Sequence, residues 1–529
     1  MTHSRALAAD AFHTLVRQFS HELCFYRELI QNAVDAGSRR VDIWLEHQDG
    51  AAVIHVRDYG EGMTAKIIEG QFTKLFASAK TGDLTKVGQF GIGFVSVFAC
   101  QPETVTVDTG RHGESWRILF NKNGEFERVA LSQPHDGTHV ILHVRMRENK
   151  FAGFVARSRE SVKYWCRFVP ANINFQKEAM QEPFAADGLC PVHADAGGTE
   201  VVAALSSDGR TRFGFYKGGI TLVEGDEVAK MPVLNQPWLE GVSFRINSKF
   251  LEHTLTRDTI KIDGDLHKAL KLLRQTVQGA LYTAMFTQLE AAAAGDPEAW
   301  DDVLRPCGPH LLRTLDAIQA AKVLPCLNGS PPLAPAALKA HQVQQARLLK
   351  TLGLPRAEKA LLWGEEDHPV GELLAAQKVP AIRCQEGDAI HRFLSAQPFQ
   401  LVRVDEALAA VEAVADSTAD AAQRRLLGET VRVLKAAGLA IQSASLAHWE
   451  DHEELCIWPV GERPPTGSRR LVYRQFPPER PDHLFLLEGH PLVTRLSRLP
   501  LSAGSRLLAR AVASASRLPV STERLLEIR

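Results

Sequence analysis

The chain has 529 residues, a formal charge of −1 at pH 7 and 45% apolar residues. It is long enough for about three to four domains, and it lacks the large single-sign field that draws a protein to nucleic acid or a membrane surface. Eight cysteines, Cys24, Cys100, Cys166, Cys190, Cys307, Cys326, Cys384 and Cys456, are scattered without a CxxC pair or metal-ligand spacing and read as reduced core thiols. No stretch approaches the roughly 18 consecutive apolar residues of a membrane span, and the N-terminus has no apolar leader run, which predicts a cytoplasmic protein.

Residues 1–150 alternate between helical and strand patterns. A helix over 22–36 leads into a strand at Val41–Leu45, and Gln48-Asp49-Gly50 turns the chain back into Ala52–Val56. Further strands fit Thr104–Val107 and Thr138–Val144, so helices are expected on one face of a largely antiparallel sheet. From 151 a second domain begins, with a strand pair at Arg212–Tyr216 and Ile220–Val223. Leu266, Leu270, Leu273, Val277, Leu281, Met285 and Leu289 then recur at helical spacing and predict core packing.

Between 357 and 404, strand, helix and strand signals at Ala360–Trp363, Val370–Gln377 and Val379–Ile382 predict a small α/β subdomain, with a boundary near 405. The Ala-rich stretch 406–419 loses strand signal, and helical sequence resumes at Ala422–Gly438. Amphipathic stretches from 491 to 529 leave Leu496, Leu499, Leu507, Leu508, Val512 and Leu518 in need of cover, which suits a dimer interface.

Three boxes carry the chemistry. On the first helix Glu28, Asn32 and Asp35 lie along one face. A carboxylate there can deprotonate water, and an amide oxygen can ligate Mg²⁺ already held by phosphates. Asp58 ends an apolar strand before Gly60 and Gly62, where missing side chains let a flat ring approach backbone and a buried carboxylate can accept from an adenine amino group. Gly88, Gly91 and Gly93 precede a helical run, Phe94–Ala99, whose N–H groups can cradle phosphate. No Gly-Lys-Ser/Thr follows, so this is not a P-loop. Between the last two boxes, residues 72–86, with Ser78, Lys80, Thr81 and Gly82, suit a mobile lid. Alone, each box would pass for a solvated helix face or a turn; their order makes a nucleotide pocket.

In that order the boxes resemble the Bergerat-type ATP-binding fold of Hsp90, DNA gyrase, MutL and histidine kinases, and the Hsp90 family matches best. Arg27–Ala36 is similar to its RELIxNAxDA helix, Asp58–Met63 to DTGIGM, Ala79-Lys80 to the lid entrance, Gly88–Ser96 to GQFGVGFYS, and Gly137–His143 to GTxIxLHL. Thr254–Asp258 resembles the LNxSRE end of the family's middle domain, and Leu486–Val493 resembles NPxHPLV before the dimerising helices. The resemblance implies Glu28 as general base and Arg257 as the arginine reaching the γ-phosphate. It implies nucleotide contacts at Asn32, Asp35, Asp58, Gly60, Gly62, Met63, Lys80, Gly88, Gln89, Phe90, Gly91, Gly93, Phe94 and Thr138, with Asn32 toward Mg²⁺.

The implied architecture is α+β and multidomain. It comprises an N-terminal Bergerat ATP-binding α/β sandwich (1–150), an α/β middle domain with a small α/β subdomain (151–405), and a mainly helical C-terminal dimerisation domain (406–529). The implied function is an ATP-dependent chaperone of the Hsp90 type, a homodimer acting on unfolded or partly folded client proteins. The alternative is a specialised ATPase switch for one dedicated protein partner or DNA, and the near-neutral charge argues against DNA. Tyr59 replaces the family's usual threonine, and Lys261 stands where many members carry glutamine. The chain ends Leu526-Glu527-Ile528-Arg529 rather than in MEEVD, so tail-binding co-chaperones are not expected.

Overall fold

The computed structural model describes residues 16, 21–72, 92–253, 260–295, 297–314, 319–354, 356–415, 418–449, 454–458, 469–473, 482–521 and 523–528. It forms two compact units, Met1–Tyr282 and Thr283–Arg529.

The first unit opens with the helix Phe25–Asp35, whose Phe25, Leu29, Ile30 and Ala33 are buried at three- and four-residue spacing. β1 (Arg40–Gln48) and β2 (Ala51–Asp58) form a hairpin with Gln48 opposite Ala51. The two-residue turn holds Asp49 and Gly50 at φ of 51° and 76°, the left-handed pair that matches strand twist. β3 (Thr104–Arg111), β4 (Glu114–Asn121), β5 (Phe126–Ala130), β6 (Gly137–Arg145), β7 (Asn172–Phe175) and β8 (Glu178–Ala179) complete an eight-stranded sheet in the order β5-β4-β3-β6-β2-β1-β7-β8. Every pairing is antiparallel except β1 with β7, as the hairpin signals suggested.

Alternation sorts the side chains of this sheet. Val41, Ile43, Leu45, Ile54, Val56, Val107, Val140 and Leu142 face a core shared with Phe25, Leu29, Ile30, Val95 and Phe98. The helix Glu148–Cys166 packs beside Phe25–Asp35 on the same face. The other face carries Trp44 stacked on His55, with ring centroids 4.5 Å apart, and His139 against both rings.

A second sheet follows, built from β9 (Leu189–Ala196), β10 (Thr199–Leu205), β11 (Arg212–Lys217), β12 (Ile220–Gly225) and β13 (Val242–Ser248) in the order β12-β11-β13-β10-β9. The helix Gly264–Thr276, capped by Asp263 on the Asp265 and Leu266 amides, packs on β10. The leucine stripe is core except at Leu270, which is half-buried: Leu266, Leu273, Val277 and Leu281 are buried in this unit, and Met285 and Leu289 in the next. A π-helical turn at Val277–Leu281 interrupts its periodicity.

In the second unit β14 (Ala360–Gly364), β15 (Ile382–Arg383) and β16 (Gln400–Arg403) form a parallel sheet in the order β15-β14-β16, with helices Pro369–Ala376 and Ala389–Ser395 as the crossovers. The expected strand at 379–382 shrinks to Ile382–Arg383. Pro380 has no N–H to give a ladder, and its carbonyl accepts instead from Gln345 at 2.7 Å and contacts His341 Nε2 at 2.8 Å.

The expectation of a mainly helical segment beyond 405 is corrected. β17 (Leu408–Ala413), β18 (Ser443–Trp449), β19 (Cys456–Ile457), β20 (Arg469–Tyr473) and β21 (His483–Leu487) make a five-stranded sheet in the order β19-β21-β18-β17-β20. β17 is the Ala-rich stretch, and Leu408, Ala409, Ala410, Val411 and Ala413 are all buried in it. Alanine has no β preference of its own; burial on both faces of an inner strand supplies what propensity does not. Helices Ala421–Ala436 and Leu501–Ala515 pack together, and Leu426, Leu434, Leu496, Leu508, Val512 and Leu518 share their core. Leu499, Leu501 and Leu507 stay 44%, 45% and 41% exposed.

All eight cysteines are buried thiols. Burial pushes Cys456 up to about 11 and Cys326 up to about 12, so both stay protonated at neutral pH. Among the described residues no helix is long and apolar enough to cross a membrane.

Candidate nucleotide site

Glu28 and Gly93 come together inside the first unit. A Cβ added at Gly93 would stand 2.5 Å from Glu28 Oε2, with no other heavy atoms within 4 Å nearer than those of Glu28. Glycine is what lets the carboxylate lie against the start of the helical run at Ile92–Val95. The other oxygen, Oε1, accepts from Arg27 Nε at 3.0 Å and Nη2 at 2.8 Å. Arg27 itself is buried, with its guanidinium 4.7 Å from the centre of the Trp165 ring.

Asp58 ends β2, and its Oδ1 accepts from the amides of Gly60 at 2.9 Å and Thr138 at 3.2 Å. Both bonds fall on Oδ1, so Oδ2 keeps its acceptor capacity among the described residues. Burial raises the carboxyl above its ordinary range, and the two amide bonds only partly oppose it. Gly62, at φ 64°, packs so closely on the carbonyls of Gly110 and Gly137 that no side chain fits. Thr109 ties the floor together: its hydroxyl donates to Gly137 O at 3.1 Å, accepts from the Met63 amide at 3.0 Å and meets Thr138 Oγ1 at 3.2 Å.

Asn32 and Asp35 lie further along the helix face and are exposed, with Asp35 accepting from Gln31 at 2.9 Å. The buried ring of Phe94 packs on Phe72 and Phe120, so a ligand would meet its backbone rather than its ring. Tyr59 points away from the pocket floor, its hydroxyl donating to Asp42 at 2.8 Å between Arg40 and Arg57. Lys80, Gly88, Gln89, Phe90, Gly91 and Arg257, together with the lid sequence from 73 onward, lie outside the described residues. Lys261 is described, and it pairs with Glu252 at 3.7 Å and Asp263 at 3.4 Å.

Thr109, Gly110 and Arg27 belong to this site and were missed from sequence. Gly110 left a signal, a glycine inside a strand pattern, which marks close backbone approach. Thr109 left none, because its partners depend on the register that sets it opposite Thr138. No cluster of three or more His, Cys, Asp or Glu that could hold a metal occurs among the described residues. Mg²⁺ bound through phosphates and water needs only one or two protein oxygens, and the exposed Asn32 carboxamide, one turn from Glu28, fits that demand.

A helix with an acid and an amide, a half-buried aspartate at a strand end and a glycine floor make an arrangement similar to that of GHKL nucleotide-binding domains. Residues 26–135 match the family described as "Histidine kinase-, DNA gyrase B-, and HSP90-like ATPase". Relatives named "Chaperone protein HtpG" share 28% identity over 191 residues in Methylococcus capsulatus (28% of this chain, 30% of the relative). In Pseudoalteromonas translucida the figures are 29% over 199 residues (32% and 31%), and in Coxiella burnetii 29% over 166 (25% and 26%). The chain thus spans less than a third of the length of these relatives.

Proposed function

We propose that this protein is an ATP-dependent chaperone of the Hsp90 type. The observation that carries the reading is the Glu28 carboxylate set against Gly93, with the half-buried Asp58 and its glycine floor in the same fold. Asp58 Oδ2 would accept from the adenine amino group, and Glu28 Oε2 would take the proton of the attacking water. Asn32 would hold Mg²⁺, which supplies charge neutralisation to the phosphates when bound. Arg257 would reach the γ-phosphate from the 151–405 domain, and the chain would dimerise through 406–529 in a clamp that closes on ATP and acts on unfolded client proteins in the cytoplasm.

Turnover of the wild type, Glu28→Ala and Arg257→Ala, with ATP binding measured alongside, tests the site. Glu28→Ala should bind ATP and lose hydrolysis, and Arg257→Ala should slow it by orders of magnitude. Full activity in either variant removes that residue from its role. Suppressed aggregation of unrelated unfolded proteins, compared with and without ATP, tests the chaperone activity; no protection would leave an ATPase switch for a dedicated partner.

A further inference from the structure

Residues adjacent on a helix do not face each other, yet Arg27 reaches Glu28 with two of its three nitrogens. Something outside the helix must hold it there. Nη1, on the far edge of the same guanidinium, lies 3.5 Å from His253 Nε2, and Trp165 covers the plane at 4.7 Å. The fork is rigid and planar, so a partner on one edge sets the angle of the other. Because both bonds to Glu28 end on Oε1, the same plane fixes the rotation of the carboxylate and presents Oε2 to Gly93.

We infer that His253 is a positioning residue for Glu28, acting through Arg27. The ring accepts from Arg27 Nη1, the guanidinium is held in place, and the oxygen that meets water keeps its aim. His253 also pairs in an isolated antiparallel bridge with Ile260. The inference rests on the reading of Glu28 as the general base.

The test is steady-state ATP hydrolysis by the full chain, with ATP affinity measured separately, for His253→Ala, His253→Gln, Arg27→Lys and the double variant Arg27→Lys/His253→Ala. His253→Ala should lower kcat about tenfold or more, within the roughly hundredfold that a 1 Å misplacement can cost, and leave KM for ATP unchanged. His253→Gln should recover most of the rate, because its amide oxygen can accept the same bond. In the Arg27→Lys background, His253→Ala should cost nothing further.

An unchanged kcat in His253→Ala, equal losses in the Ala and Gln variants, or the same loss in both Arg27 backgrounds would each overturn the role. Should His253→Ala fail to fold, His253→Leu against His253→Gln makes the same comparison at similar size. Glu28→Ala separates the two layers: if it is inactive while His253→Ala is not, only the positioning role fails. If Glu28→Ala keeps the wild-type rate, the base assignment fails and the positioning role falls with it.

Discussion

Glu28 Oε2 occupies the space that a side chain at Gly93 would need, 2.5 Å from that Cβ position. Two sequence boxes far apart are thus two sides of one contact. The atoms nearest to the added Cβ all belong to Glu28, so the carboxylate has to move, and its pair with the buried Arg27 is disturbed with it. Gly93→Ala should therefore lower the melting temperature, because the buried Arg27 loses its partner, while the chain still folds, and ATP hydrolysis should fall by about a hundredfold. ATPase assays beside a thermal melt decide it; full turnover in a folded variant would mean that the carboxylate works from another rotamer.

Asp58 sets affinity against stability. Its folded pKa is raised by burial, so the folded state holds its proton to higher pH than the unfolded chain does. Stability is then greatest below the unfolded value near 4, and it declines as pH rises through the raised folded pKa. Asp58→Asn keeps an acceptor for the Gly60 and Thr138 amides but removes the half-buried charge. The variant should be at least as stable as wild type at pH 7, with less loss of melting temperature between pH 4 and 7, yet ATP affinity should drop by about 10- to 100-fold for one lost charge-assisted hydrogen bond. Calorimetric titration with ATP and melts across pH measure both arms, and unchanged affinity would take Asp58 out of the adenine contact.

What the sequence disclosed and what it hid follow from the range of the forces involved. The Phe25–Asp35 helix, the β1–β2 hairpin and the aspartate-glycine floor rest on local periodicity and turn chemistry, and all were legible. β17 was not, because alanine encodes neither strand nor helix until its neighbours bury it. Thr109 and Arg27 were hidden for a related reason: one acts through strand register, the other through Trp165 and His253, which lie far along the chain.

His139 should make the first unit acid-sensitive. Burial, then the neighbouring His55 and Arg57, lowers its pKa to about 4, and its Nε2 shares a 3.2 Å hydrogen bond with His55 Nδ1. An unfolded histidine takes its proton near 6.5. Between those values the unfolded state binds more protons, so stability is full above about pH 6.5 and is lost as pH falls toward 4, by about 3 kcal/mol. His139→Gln should flatten the melting-temperature profile across this window. A profile as steep as wild type would place the acid sensitivity elsewhere.

The C-terminal leucines divide into two sets with opposite expectations. Leu508 and Val512 are buried in the core that Leu501–Ala515 shares with Ala421–Ala436, whereas Leu501 and Leu507 are 45% and 41% exposed on or beside the same helix. A charge at Leu508 removes a packed side chain and buries an unpaired carboxylate, so Leu508→Asp should unfold the domain. Leu501→Asp/Leu507→Asp should leave the chain folded and convert the proposed dimer to a monomer. Light scattering coupled to sizing chromatography reads the mass directly. A folded double variant that stays dimeric would move the interface off this face.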